Sequence, residues 1–302
     1  MALQSTPIKI ALDWTPNTIH SGLFIAKEAG IYESLGLAVD LLSPDPDYRK
    51  TPAKRLEAGE VDLAICPSES CIAYQQSGKM KLQAIYAILQ RDASAIASTE
   101  LRGIRELGDG KVYGSYNARY EEAIVRAMVK DDGGDGDGVI IERQHGKFNL
   151  FESLKAGKID ATWIFLPWEG VAAEHDGLEL YEFVPADYGV PYGYSPVIAH
   201  NASSGRLDDD VLRNFVAATR EGYNRAIRNV EEAVSVVRKH CDPPQSPSML
   251  SWSQEMINEY YSDGSTLGRM STQKWTNFAN WLTKQGLLQA NSIHIDQLFK
   301  NP

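Results

Sequence analysis

The chain has 302 residues, 43% hydrophobic and 23% charged, an ordinary globular composition that is too long for one core and fits two α/β units. Its net charge of −10, from 30 basic and 40 acidic residues with no basic block, argues against a nucleic-acid partner. No run approaches the roughly 20 apolar residues of a membrane helix, so no membrane insertion is expected. Cys66, Cys71 and Cys241 are too few for a disulfide framework.

Taken in chain order, Ile8–Leu12 reads as an apolar strand, Asp13–Asn17 as a polar turn, and Thr18–Leu35 as a helix that Gly36 ends. Val39–Leu42 is a second strand, Pro44 and Pro46 mark a loop, and Tyr48–Ala58 has helical spacing. Val61–Ile65 is a strand, Pro67–Gln76 a helix, Leu82–Leu89 a strand, and Ala93–Thr99 begins a crossing into a second lobe. That lobe continues with a strand at Lys111–Tyr113 and a helix over Tyr120–Val129, whose early Glu121 and Glu122 suit the helix dipole. Asp131–Gly138 is expected to be a flexible acidic loop, not a calcium site, because it lacks the distal bidentate Glu. Val139–Arg143, Leu150–Ala156 and Ile159–Phe165 follow as strand, helix and strand. Ser195–His200 returns the chain to the first lobe, and four helices are expected beyond it, at Leu207–Ile227, Val230–His240, Ser253–Tyr261 and Thr272–Lys284. The aromatics on these helices, such as Trp275 and Trp281, have the spacing of core residues.

One helix–strand corner occurs twice. LEAGEVDLAIC at 56–66 and LKAGKIDATWI at 154–164 share a Gly helix stop and an acidic residue entering an apolar strand. The repeat predicts two α/β lobes on one plan, residues 1–92 with 195–302 and residues 93–194, with a ligand cleft between them.

Ligands of open α/β sheets sit beyond the carboxyl ends of the strands, and the loops there hold the candidate site. Trp14 offers a stacking face, or else plugs a core; Asn17 is a cap and polar contact; His20 is a ligand donor or a structural polar group. Ser115, Tyr116 and Asn117 lie in a strand-to-helix loop whose amides either receive an anion or simply cap the helix. Trp163, Trp168 and Glu169 set two indoles beside a carboxylate, or else Glu169 is simply a helix N-terminal acid; Tyr192 and Tyr194 lie in an aromatic return crossing. Cys66 and Ser68 end the other repeated strand, and no basic neighbour activates the Cys66 thiol. The histidines are scattered singly, and no nucleophile elbow or zinc spacing occurs, which favours binding over catalysis.

The run ALDWTPNTIHSGLFIAKEAGIY at 11–32, with its D-W-x-P-N-x-x-H core, resembles the ThiY-type family, whose wider group includes the fungal thiamine-pyrimidine synthases. YGSYNARYEEAIV, FNLFESLKAGKIDATW, PWEGVAA and GVPYGYSPVIAHN extend the resemblance over most of residues 8–240. The resemblance implies a type II periplasmic-binding-protein fold and a small heterocycle related to thiamine's aminopyrimidine. It places Trp14, Asn17, Glu169 and Tyr192 or Tyr194 along the cleft. The synthase branch of this group uses pyridoxal phosphate and iron, held by a Lys, a His and a Cys-rich run. Cys66, Ser70 and Tyr192–Pro196 stand at those places, so no cofactor is expected unless the chain is a synthase. Only Met1–Pro7 precede the first strand, so a cytoplasmic location is expected, or a periplasmic or extracellular one with a permease partner if a leader was removed. A sulfonate- or nitrate-like anion is an alternative ligand, and a homodimer an allowed assembly.

Overall fold

The two repeated corners fold alike, and the acidic residue explains why. In the first, the Asp62 amide donates to the Lys9 carbonyl (2.9 Å), while the Lys9 amide donates to the Asp62 carboxylate (2.9 Å). In the second, Asp160 makes the same pair of bonds with Val112, at 2.8 and 2.7 Å. Each Asp thus clasps the strand beside its own and satisfies an amide that the ladder leaves over. Gly59 (φ 73°) and Gly157 (φ 64°) take the left-handed caps before them.

The computed structural model describes residues 5–45, 48–144 and 149–302. Pro46 of the expected loop, His145 and Phe148 lie outside the described residues. The strands are β1 (Thr6–Ala11), β2 (Leu37–Leu42), β3 (Leu63–Cys66), β4 (Leu82–Ala87), β5 (Ser94–Ser98), β6 (Val112–Ser115), β7 (Ile140–Arg143), β8 (Ala161–Phe165), β9 (Tyr181–Phe183) and β10 (Val197–Asn201). They form two five-stranded sheets, ordered β2-β1-β3-β10-β4 and β7-β6-β8-β5-β9. In each, a first strand pairs in parallel with two neighbours, and an antiparallel strand packs beside the clasped one. That antiparallel strand is the one reached by crossing: β5 enters the second sheet and β10 returns to the first. The sheets are two α/β lobes of one plan. Leu63, Ala64 and Ile65 are fully buried, as a strand covered on both faces requires.

The helices are α1 (Ser21–Glu28), α2 (Ile31–Ser34), α3 (Pro52–Glu57), α4 (Ser68–Ser77), α5 (Glu121–Asp131), α6 (Leu150–Lys155), α7 (Val171–His175), α8 (Asp209–Arg228), α9 (Val230–Val237), α10 (Pro247–Tyr261) and α11 (Thr272–Lys284). Three expectations change. The helix expected over Thr18–Leu35 is a 3-10 turn at Thr18–His20 followed by α1 and α2, parted at Gly30, whose φ of 68° no helix accommodates. The helix expected from Tyr48 begins only at Pro52, because Thr51 caps it and the residue before a proline avoids helical backbone. The acidic glycine loop is packed rather than loose: a Cβ on Gly138 would sit 2.0 Å from the Gly108 carbonyl oxygen. The turn at Leu166–Gly170, α7 and β9 were not anticipated; they are short and carry no clear period.

Candidate functional site

The loop after β1 is built from below. Asn17 accepts the Ile19 amide on its side chain at 2.9 Å and donates its own amide to His20 Nδ1 at 3.3 Å, which fixes the turn. His20 Nε2 then donates to Asp13 at 2.9 Å. Two buried tyrosines hold the same turn by its carbonyls, Tyr261 at Thr18 (2.6 Å) and Tyr223 at Ile19 (2.8 Å). These bonds aim Trp14 outward. Its ring lies 4.9 Å from Tyr48 and 6.1 Å, edge-on, from Tyr116 across the cleft. Tyr48 holds a left-handed backbone, φ 49°, uncommon for a bulky residue.

On the opposing lobe, the chain leaves β8 through one π-helical turn, Leu166–Gly170, which carries both Trp168 and Glu169. Such turns are rare and often found at functional sites. Glu169 reaches back to accept the Phe165 amide at 3.0 Å, and burial pushes its carboxyl up to about 7. Burial, then the nearby Glu169 and Glu121, holds the Tyr116 phenol well above its usual range. Ser253 of α10 joins the two loops: it bonds Thr18 Oγ1 at 2.7 Å and donates to the Pro167 carbonyl.

Trp14, Asn17, Tyr116, Trp168 and Glu169 meet around one cavity of about 210 Å³, closed further by Trp163 and the Ser195–Pro196 peptide. Two larger cavities adjoin it through Trp14 and Tyr116, of about 910 and 610 Å³. Cys66 and Asn117 line the second of these.

The other expected ligand contacts lie elsewhere. His20 is fully buried with both ring nitrogens engaged, so it positions Asp13 and does not reach the cavity. Ser68 is buried, its amide donating to the Tyr194 carbonyl at 2.9 Å. Tyr194 is buried against Trp275, its hydroxyl accepting the Ser271 amide at 2.8 Å. Tyr192 lines a separate cavity of about 390 Å³ and donates to Glu69 at 3.2 Å. The amides expected to receive an anion after β6 are already taken. Glu121 accepts the Tyr116 amide (3.0 Å), the Ala118 amide (2.9 Å) and the buried Ser115 hydroxyl (2.9 Å), while Ser115 accepts the Asn117 amide (2.9 Å). Trp163 lines the ring cavity, and Tyr48, which was not named in advance because it falls where helical spacing was read, lines both larger ones.

Cys66, where the synthase branch has its lysine, is a buried thiol that forms no imine. Among the described residues no three His, Cys, Asp or Glu gather to hold a metal.

The formylaminopyrimidine-binding protein of Halalkalibacterium halodurans is 24% identical over 289 residues, spanning 93% of this chain and 86% of that protein. Among solved structures, the periplasmic nitrate-binding protein NrtA of Synechocystis PCC 6803 superposes with a TM-score of 0.76 at 15% identity, covering 98% of this chain and 86% of NrtA. The ligand-binding component of an ABC-type import system from Staphylococcus aureus gives 0.74 at 16% identity over 98% and 97%. These likenesses establish the periplasmic-binding-protein fold. The model of the family described as NMT1/THI5 like matches residues 17–233, well over half the chain, and the chain belongs to that family.

Proposed function

We propose that this protein is a non-catalytic receptor whose lobes, residues 1–92 with 195–302 and residues 93–194, close over a small pyrimidine-related heterocycle. The observation that carries the reading is the convergence of Trp14 from one lobe and Glu169 from the other on a single cavity. Trp14 supplies a flat apolar face braced by two tyrosines. A carboxyl near neutrality presents an acceptor and, when protonated, a donor beside it, which complements the amino group and ring nitrogen of an aminopyrimidine edge. The formylaminopyrimidine-binding relative supports this ligand class, and thiamine metabolism is the setting that follows.

The cytoplasmic location expected earlier draws no support from the comparisons; a site outside the cytoplasmic membrane, with a permease as partner, fits the fold's import-system neighbours better. The homodimer likewise gains no support. The test is calorimetric titration with an aminopyrimidine, its formylamino derivative, pyridoxal phosphate and thiamine. We expect saturable one-site binding of the pyrimidines and a matching rise in Tm. Absence of binding by all four, or undiminished binding in a Trp14→Ala, Glu169→Gln double variant, overturns the reading.

A further inference from the structure

We infer that Ser253 is a positioning residue for the ligand, a buried latch on α10 that holds the turns bearing Trp14 and Glu169 at the spacing at which they grip one ring. The inference rests on the proposed ring site and names what fixes its width.

Ser253 is fully buried and lines none of the cavities around the site. Its hydroxyl stands between Thr18 Oγ1, at 2.7 Å, and the Pro167 carbonyl, and both of those residues are buried as well. A carbonyl oxygen only accepts, so the single hydroxyl hydrogen of Ser253 goes to Pro167, and Thr18 donates its own to Ser253. The relay thus runs one way, from the lobe that carries Trp14, through α10, to the lobe that carries Glu169. Pro167 directly precedes Trp168 and Glu169 in the π-helical turn. Two further bonds tie α10 to the Trp14 side: Ser21 donates to Gln254 Oε1 at 2.6 Å, and Tyr261 donates to the Thr18 carbonyl at 2.6 Å.

Of the two Ser253 bonds, the one to Thr18 lies within a lobe and outlasts opening; the one to Pro167 crosses between lobes. Around it, Val171 of α7 is fully buried in one apolar cluster with Leu250 and Ile257 of α10. With the lobes together, a chain with Ser253→Ala would bury the Pro167 carbonyl without this donor; with the lobes apart, water reaches that carbonyl. The cost of losing the crossing bond therefore falls on the closed arrangement, which is the one that holds ligand. A second bond between α7 and α10, His175 Nε2 with Ser248 Oγ at 3.2 Å, joins exposed groups that water satisfies in either arrangement.

The experiment compares Ser253→Ala with Thr18→Val and His175→Ala in the full chain, by calorimetry with 4-amino-2-methylpyrimidine and its 5-formylaminomethyl derivative, and by hydrogen exchange without ligand. We expect Ser253→Ala to weaken both pyrimidines by the same factor, about tenfold, because the residue touches neither. Thr18→Val should lower Tm yet leave both affinities within about twofold, since the bond it removes does not depend on closure. His175→Ala should likewise stay within about twofold. In the ligand-free protein, Ser253→Ala should speed exchange of the Trp168, Glu169 and Gly170 amides about tenfold, and Thr18→Val should not. Unchanged affinity in Ser253→Ala, factors that differ between the two pyrimidines, or exchange at the wild-type rate overturns the latch and leaves the ring site standing. Failure of every chain to bind either pyrimidine overturns the ring site, and the exchange rates then decide the latch by themselves.

Discussion

At the residue scale, burial raises the Glu169 carboxyl more than the backbone hydrogen bonds it accepts lower it. Its folded pKa of about 7 lies above the ordinary 4.5, so between these values the folded protein binds more protons than the unfolded chain. This group therefore supports stability below about pH 4.5, and that support is lost as pH rises through 7. Glu169→Gln should flatten the decline in Tm between pH 5 and 8 relative to wild type; parallel curves would show that the carboxyl titrates normally. Glu69, which burial also raises to about 7, retains its own slope in that variant. Trp14 makes a different kind of contribution. Stacking adds about 0.5–1.5 kcal/mol beyond buried area, so Trp14→Ala should weaken pyrimidine binding by about tenfold or more, read by calorimetry.

At the scale of elements, the repeated Asp clasp is the smallest unit that defines a lobe. Asp160→Ala leaves the Val112 amide without its acceptor and should cost about 1–3 kcal/mol in urea denaturation. Where α1 crosses α8, the backbones meet through glycines: a Cβ on Gly222 would lie 2.0 Å from the Gly22 carbonyl oxygen. Backbone cannot yield as a side chain does, so Gly222→Ala should cost at least about 1–3 kcal/mol, seen as a lower urea midpoint with an unchanged slope. An unchanged midpoint would mean that the crossing is looser than described. Ser253 links the loops from both lobes without touching the cavity. It belongs with Tyr223 and Tyr261: the C-terminal helices, expected only as core, also hold the turn that aims Trp14.

At the scale of the whole molecule, two crossings join the lobes, and the proposed site is made of residues that both lobes bring to one cavity. A ligand held by both should favour the closed arrangement in proportion to its extra contacts there. Small-angle scattering should then show a smaller radius of gyration with pyrimidine bound, and no change in the Trp14→Ala, Glu169→Gln double variant.

The division into two alike lobes was legible because it rests on local rules: a Gly that must turn left, an Asp that must find an amide, and a strand apolar on both faces. Trp14, Asn17, Tyr116, Trp168 and Glu169 were legible as a group because each ends a strand or opens a helix, where side chains face the cleft. Their neighbours in sequence could not be sorted the same way. His20 and Tyr194 have the chemistry of ligand contacts, yet their direction depends on partners far along the chain, Tyr261 and Ser271 among them. The anion seat after β6 reads as open until Glu121 is seen to fold back into it, and Tyr48 reads as helix until it is found against Trp14. Local backbone preference and burial pattern act within a few residues, so the sequence alone determined the strands and helices with a clear period and the two-lobe plan, and not the short turns between them. Which polar groups remain available to a ligand is settled by hydrogen bonds between distant segments, and only the tertiary structure decided that.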